Sequence, residues 1–149
     1  GLVKYVIRNI LSFFNERANY YLGFLTGGNF AIEFDDSLHD TILNRGKLAF
    51  FDTLSGGEKK KLSLSVMLAL NDLLLLTGKD RSNVVFFDEI ADSLDEEVIR
   101  GLYELIEKIT ESKRLFIITH NDYLASLIED WADVLEVRKK DYITTVKKL

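Results

Sequence analysis

Two short apolar runs with a helical pattern between them constrain the fold more than any other feature of the sequence. The runs span residues 84–87 and 115–119, and they lead directly into polar side chains, Asp88 and His120. An uninterrupted apolar run of this length is typical of a strand that is covered on both faces. Between the runs, apolar residues three and four positions apart predict an amphipathic helix. This alternation predicts an α/β fold with a parallel sheet.

The sequence before residue 54 predicts an N-terminal helix followed by a pair of strands. Residues 2–25 carry an apolar stripe at helical spacing, and Gly27 and Gly28 follow where helices commonly end. Residues 30–34 alternate as in a half-buried strand, a polar loop follows, and residues 48–51 predict the returning strand.

The later sequence predicts three more helices and a closing hairpin. Residues 54–76 predict a buried helix, because apolar residues lie on most of its faces. Ser93 and Glu96 predict a capping box for the helix between the two apolar strands. Asp122 predicts the N-cap of a short helix, and residues 134–146 predict the hairpin.

Composition narrows the classes of function. With 19 basic and 24 acidic side chains in 149 residues, the net charge of −5 argues against bulk electrostatic wrapping of nucleic acid, although a local basic patch stays open. The absence of cysteine excludes disulfides, thiol catalysis and thiolate metal sites, and two histidines are too few for a His-rich cage. No apolar run approaches the roughly 20 residues of a membrane span, and no signal peptide is recognised. We therefore expect a cytoplasmic protein without a membrane partner. Because the first residue is Gly1 and the only methionine is Met67, we also expect a fragment or a processed chain.

The first candidate site is the segment Leu54-Ser55-Gly56-Gly57-Glu58 at a predicted helix start. Two glycines allow a ligand to approach the backbone closely, and the free N–H groups of a helix N-terminus attract anions. The Ser55 hydroxyl adds another donor. Taken alone, such a segment is more often an ordinary helix start than a binding site.

The second candidate site joins the ends of the two apolar strands. Asp88 and Glu89 follow the first strand at the edge where α/β folds bind ligands, and His120 follows the second. One carboxylate is suited to Mg²⁺, and the next is suited to orienting or deprotonating a water molecule. Surface charge, helix capping and a structural histidine are the alternatives. The segment Ser93-Leu94-Asp95, taken alone, predicts only a helix cap.

Together and in this order, the four segments resemble the C-terminal half of an ABC-type ATPase. The order is L-S-G-G-E, an apolar strand ending in D-E, then S-L-D, then a strand ending in His. The P-loop pattern is absent, because Gly78 and Lys79 lack both the upstream glycine and the following Ser or Thr. In the SMC, SbcC and RecN group a long coiled coil separates the P-loop half from this half. Residues 13–16 and 26–34 look most like SbcC-like repair ATPases, including those of bacteriophages.

The resemblance implies an α/β fold that forms the C-terminal lobe of an ABC-type ATPase head, with a mostly parallel sheet and flanking helices. Residues 1–28 would be a helix returning from a coiled-coil base, and residues 29–149 would be the C-terminal half of the head. The N-terminal half would supply the P-loop, and two heads would enclose two ATP molecules with Mg²⁺. The resemblance further implies ATP-controlled access of DNA to a nuclease in double-strand break repair and recombination.

Each motif takes a role from the resemblance. Asp88 would support Mg²⁺, Glu89 would activate the attacking water, and His120 would contact the γ-phosphate. The signature motif, which would meet the ATP held by the opposite head, comprises Leu54, Ser55, Gly56, Gly57 and Glu58. The D-loop, which would contact the opposite head, comprises Ser93, Leu94 and Asp95.

The implied partners are the N-terminal P-loop half, a second head, a metallonuclease of the SbcD type and double-stranded DNA. Five lysines are candidates for phosphate contacts, although lysines of this kind are more often solubilising surface charge. They are Lys59, Lys60, Lys61, Lys139 and Lys140. Three alternatives stay open: an SMC-type DNA tether without a nuclease, a transporter nucleotide-binding domain, and a non-catalytic interaction module.

Overall fold

The computed structural model describes residues 2–77, 83–92 and 94–148. Within these ranges the chain contains helices and strands in the predicted order, with one additional strand at residues 40–44. The helices are α1 (Leu2–Thr26), α2 (Gly56–Thr77), α3 (Glu96–Thr110) and α4 (Asp122–Ile128), with a 3₁₀ turn at Phe51–Thr53. The strands are β1 (Phe30–Phe34), β2 (Asp40–Asn44), β3 (Lys47–Ala49), β4 (Val84–Asp88), β5 (Arg114–Ile118), β6 (Leu135–Lys140) and β7 (Ile143–Lys148). The α/β class is therefore confirmed.

Helix α1 organises the N-terminal part of the fold by binding the backbone of β1. The side-chain amide of Asn19 accepts from the Ile32 amide at 2.9 Å and donates to the Ile32 carbonyl at 2.7 Å. Asn15, one helical turn earlier, makes the same pair of bonds to Phe34 at 2.9 and 3.0 Å. The backbone N–H and C=O groups of strand residues two apart point toward the same edge of the strand. Asn15 and Asn19 are four apart and lie on one face of the helix, so their side chains can reach both sets of backbone groups. The edge of β1 is thereby satisfied without another strand.

Strand β2 lies where the sequence predicts only a polar loop, so that prediction is wrong. Strands β1, β2 and β3 form an antiparallel meander in which Ile32 pairs with Ile42. Ile42 is buried against Ile32 and helix α1, which gives the strand its one core contact. Its neighbours Asp40, Thr41 and Asn44 are polar and hide the pattern. The returning strand β3 also ends earlier than predicted, at Ala49.

Strands β4 and β5 are parallel, with Phe87 opposite Ile117, and pack one face against the helices. That face joins residues of α1, α2 and α3 in the main core. The other face is apolar but exposed, so the prediction that both faces are covered is wrong for the described residues. The outward face of α2 is likewise exposed at Met67 and Leu70. Both elements therefore carry more apolar surface than the described part of the chain covers.

Helices α1 and α3 cross closely at Gly101. A Cβ atom placed at Gly101 would collide with the carbonyl group of Phe24 on α1. Glycine is therefore required here by the approach of two backbones, although it lowers helix propensity. This close crossing fixes α3 against α1, and the buried side chains of α3 join the core that also contains β4.

Two predicted helix caps differ in detail from those observed. Asp95 caps α3 by accepting from the Val98 amide at 3.0 Å, and the predicted cap Ser93 lies outside the described residues. Asn121 rather than Asp122 caps α4, since its side chain accepts from the Leu124 amide at 2.9 Å. The predicted closing hairpin is confirmed as β6–β7. Among the described residues, no helix is both long and apolar enough to cross a membrane.

Candidate functional site

The signature-like segment begins helix α2 with a capping box. Glu58 accepts from both the amide and the hydroxyl of Ser55 at 2.8 Å, and its own amide donates back to Ser55 Oγ at 3.3 Å. The bond from the Ser55 amide is the main reason that the pKa of Glu58 is lowered. Ser55 and Gly56 are exposed. The amides of Gly56 and Gly57 lie at the start of α2, where a helix offers its N–H groups no acceptor of its own. Leu54 instead packs against the core that β1 and β2 form with α1.

The end of β4 turns sharply at Glu89. Glu89 has φ of 49°, a left-handed conformation that is uncommon for a residue with a side chain. Its amide donates to the Ile118 carbonyl of β5 at 2.9 Å, and its carbonyl accepts from the Asp92 amide at 3.3 Å. The residues from Glu89 to Asp92 therefore form a tight turn, called the Glu89 turn below, attached to the carboxyl edge of the parallel strands.

His120 contacts two carboxylates of this turn. Its Nδ1 lies 2.8 Å from Glu89 Oε2, and its Nε2 lies 3.4 Å from Asp92 Oδ1. The hydrogen bond to Glu89 is the main reason that the pKa of His120 is raised. The imidazole is 74% exposed, so it is accessible to a ligand. The sequence predicts that Glu89 and His120 share one sheet edge, and the structure brings the two together.

Asp92 is a member of this cluster that the sequence does not predict. Its one signal is its position three residues after Glu89, which matters once Glu89 begins a turn. Glu89, Asp92 and His120 have ligating atoms within 4.8 Å of one another. Asp88, the expected Mg²⁺ ligand, ends β4 with an exposed side chain outside that group. Because Mg²⁺ commonly uses one or two carboxylates together with waters and substrate phosphates, this single carboxylate fits such an ion.

The candidate D-loop is partly described. Leu94 packs against the main core, and Asp95 uses its carboxylate to cap α3. Ser93 lies outside the described residues. The contact of this segment with another head stays a prediction.

The five candidate DNA-contacting lysines lie in different surroundings. Lys60 is half-buried and donates to the carbonyls of Glu89 at 2.9 Å and Asp92 at 2.8 Å. Lys59 donates to the Asp52 carbonyl at 3.1 Å, and Lys61 is half-buried on the same helix. The remaining two, exposed next to the turn of the hairpin, are Lys139 and Lys140. DNA contact by these lysines stays a prediction.

At the opposite end of β5 from the site, an ionic cluster joins α1, α2 and Lys113, the residue that precedes β5. Asp72 accepts from Arg17 at 2.7 Å, from the Tyr21 hydroxyl at 2.6 Å and from Lys113 at 2.6 Å. Burial works to raise the pKa of Asp72, but the donated hydrogen bonds outweigh it and hold that pKa below its usual value. Burial and the bond to this carboxylate raise the pKa of Tyr21 to about 12. The sequence does not predict this cluster, because its members are far apart along the chain.

Comparison with known proteins finds several similar chains, although no family model matches. "Probable exonuclease subunit 2" of Escherichia phage T5 is 31% identical over 123 residues, which are 80% of this chain and 20% of that protein. The SbcC component of the SbcCD nuclease from Clostridium acetobutylicum is 33% identical over 122 residues, 79% of this chain and 10% of that protein. This chain thus spans about a fifth or less of these relatives. A solved structure described under ATP-driven dimerization of SMC ATPases has a TM-score of 0.78 and 18% identity, covering 98% of this chain and 88% of the other.

Proposed function

Since the chain belongs to the SMC and SbcC family of ATPases and corresponds to the C-terminal lobe of its head, we propose that it supplies half of a composite site for ATP hydrolysis. The observation that carries the proposal is the 2.8 Å contact between Glu89 and His120 at the carboxyl edge of the parallel strands. A base and an imidazole beside the exposed Asp88 suit hydrolysis of a phosphate bond. A surface that only binds a partner protein does not require a carboxylate base and an imidazole placed together in this way.

The three side chains divide the work of hydrolysis. Asp88 would hold Mg²⁺, which when bound would offset negative charge on the phosphates. Glu89 would accept a proton from the attacking water. In the structure the Glu89 carboxylate contacts the His120 imidazole at 2.8 Å. An incoming γ-phosphate that attracted the imidazole would free this carboxylate to act as a base. The raised pKa of His120 means that it holds its proton more readily than an ordinary histidine, which suits contact with an anion.

The signature motif would act on the nucleotide of a second head. Ser55 and the amides of Gly56 and Gly57 lie at the start of a helix, where anions are favoured. In the described state the Ser55 hydroxyl donates to Glu58 at 2.8 Å. Contact with a γ-phosphate would require that O–H group to turn outward, while the Ser55 amide keeps its bond to Glu58.

The proposed partners follow from this division of labour. An N-terminal half would bring the P-loop, and a second copy of the head would complete each site with its signature motif. The apolar outer face of β4 and β5 supports docking of another part of such a head, because exposed apolar surface of this kind marks contact sites. ATP-driven closure would then control access of double-stranded DNA to a partner metallonuclease.

The sequence identities to known proteins favour this nuclease-linked role over an SMC-type DNA tether. Relatives named as parts of nucleases are 31% and 33% identical to the chain, whereas the SMC structure is 18% identical and supports the fold alone. The proposal therefore places the chain in DNA double-strand break repair or recombination.

Reconstitution tests the proposal. The chain produced together with the P-loop half of the same head is expected to hydrolyse ATP in the presence of Mg²⁺, and the chain alone is expected not to. Purified material of each kind is compared at equal concentration, with the Glu89→Gln variant as a control for contaminating ATPases. Hydrolysis by the chain alone, abolished by Glu89→Gln, would contradict the composite site.

A further inference from the structure

Lys60 connects the signature helix to the Glu89 turn. It is the fifth residue of α2, which begins at Gly56, and its side chain is half-buried. Its ammonium group donates to the carbonyl of Glu89 at 2.9 Å and to the carbonyl of Asp92 at 2.8 Å. One side chain thus binds both ends of the turn that carries the two carboxylates facing His120.

The Glu89 turn has reason to need such a clamp. The left-handed conformation of Glu89 is intrinsically unfavourable, and residues of this kind persist only where surrounding contacts enforce them. The bond that closes the turn, from the Asp92 amide to the Glu89 carbonyl, is 3.3 Å long and therefore weak. Lys60 makes two shorter bonds across the same pair of residues.

The chemistry of the clamp requires a cationic group with several N–H donors. An ammonium group has three N–H donors and can serve two converging carbonyl oxygens at once, and hydrogen bonds from a charged donor are stronger than neutral ones. Removal of the charge would leave two partly buried carbonyls without this partner. The backbone of Glu89 would then be free to relax, and its side chain would move away from the 2.8 Å contact with His120.

We propose that Lys60 is a positioning residue that holds the Glu89 turn, and through it the Glu89 carboxylate, in place for ATP hydrolysis. This inference rests on the proposed ATPase function. It gives Lys60 an inward role in place of the DNA contact that the sequence suggests. Because Lys60 lies five residues after Ser55 on the same helix start, it also connects the segment that would meet one nucleotide to the turn that would act on another.

The test uses the complete ATPase, with both halves of the head, carrying Lys60→Met, Lys60→Arg or Lys47→Met. The first removes the charge, the second keeps a cation with several donors, and the third is a matched control at an exposed lysine of β3. Lys60→Met is expected to lower kcat about 10- to 100-fold with the KM for ATP unchanged, since small displacements of a catalytic group have effects of this size. Lys60→Arg is expected to recover most of the loss, and Lys47→Met to behave as wild type.

Hydrogen–deuterium exchange provides a readout that does not depend on activity. In Lys60→Met the amides of Glu89 and Asp92 are expected to exchange faster, while those of α3 and β1 keep the wild-type rate. If Lys60→Met does not fold, the same measurements are made on Lys60→Gln. This variant keeps a polar group but is too short to bind both carbonyls.

Several outcomes would overturn the inference. These are wild-type kcat in the charge-removing variant, a raised KM with unchanged kcat, equal losses in Lys60→Arg and Lys60→Met, or unchanged exchange at the turn. Weakened binding of duplex DNA with unchanged kcat would return Lys60 to a surface contact. A wild-type complex without ATPase activity would refute the proposed function instead, and the exchange measurement would still decide the role of Lys60.

Discussion

The two faces of the β4–β5 pair are chemically alike and structurally different. On the inner face Phe87 is 1% exposed and lies within the main core, whereas on the outer face Phe86 and Phe116 are 70% and 53% exposed. These two outer rings stack on each other with centroids 5.0 Å apart. The inner face forms part of the core, while the outer face is the apolar surface on which we propose that another part of a head docks. The site residues lie at the edge between the two faces.

Truncation of one phenylalanine on each face is expected to have very different effects on stability. Phe87→Ala is expected to lower the free energy of unfolding by about 3–5 kcal/mol, because it opens a cavity in the core. Phe86→Ala removes a ring that is mainly exposed and is expected to cost well under about 1 kcal/mol in this chain. Urea denaturation measures both values. Similar losses for the two variants would mean that the outer face is covered within the chain itself.

A second prediction concerns the ionic cluster around Asp72. Asp72→Asn removes the charge that Arg17 and Lys113 share, and is expected to cost about 2–3 kcal/mol at pH 7. Asp133→Asn removes an exposed partner of Lys148 and serves as the matched control, with little expected change. Urea denaturation at pH 7 measures both losses.

The same cluster predicts how stability depends on pH. Because the pKa of Asp72 is lower in the folded chain than in the unfolded chain, its contribution is present above the unfolded value of 3.8. That contribution is lost as pH falls from about 3.8 through the folded pKa. The difference in stability between wild type and Asp72→Asn should therefore shrink in acid. A difference that stays constant down to pH 2 would refute this assignment.

A smaller effect is expected for His120, at the carboxyl edge of the strands. The pKa of His120 is expected to lie above 6.5, and Glu89→Gln is expected to lower it, because Glu89 provides most of the stabilising interaction with the imidazolium. Asp92→Asn should lower it less, since its carboxylate lies 3.4 Å away rather than 2.8 Å. The interaction of the His120 imidazolium with Glu89 contributes its full stabilisation below pH 6.5. This contribution is lost as pH rises through the folded pKa of His120. NMR titration of the imidazole measures these midpoints; a larger shift from Asp92→Asn would reverse the assignment.

The predictable parts of the fold are those with strong local signals. Helix α1 ends at Thr26 because two glycines with positive φ follow it. Strand β2 escapes prediction because Ile42 is its one buried residue and its partner Ile32 is ten positions away. The sequence predicts that both faces of β4 and β5 are buried, whereas one is exposed. An apolar run shows that both faces are apolar, but it does not show which of them this chain covers.

The candidate site likewise contains residues that the sequence predicts and residues that it does not. Glu89 and His120 follow parallel strands, so topology alone brings them to one edge. Asp92 and Lys60 join them only because Glu89 adopts a left-handed turn and α2 passes beside it. Neither the turn nor the passage of α2 has a local sequence pattern, so these members of the site depend on tertiary structure.

The most direct test of the account is single-turnover ATP hydrolysis by the reconstituted head carrying Glu89→Gln. The substitution keeps the size of the side chain but removes its ability to accept a proton, and loss of a positioned base typically lowers the rate about 10²–10⁴-fold. ATP binding is expected to persist, so the variant should accumulate as an ATP-bound dimer on size-exclusion chromatography. Glu97→Gln, an exposed glutamate in the first turn of α3, is the matched control. Wild-type turnover in Glu89→Gln, without a trapped dimer, would contradict the assignment of Glu89 as the base and with it the composite ATPase site.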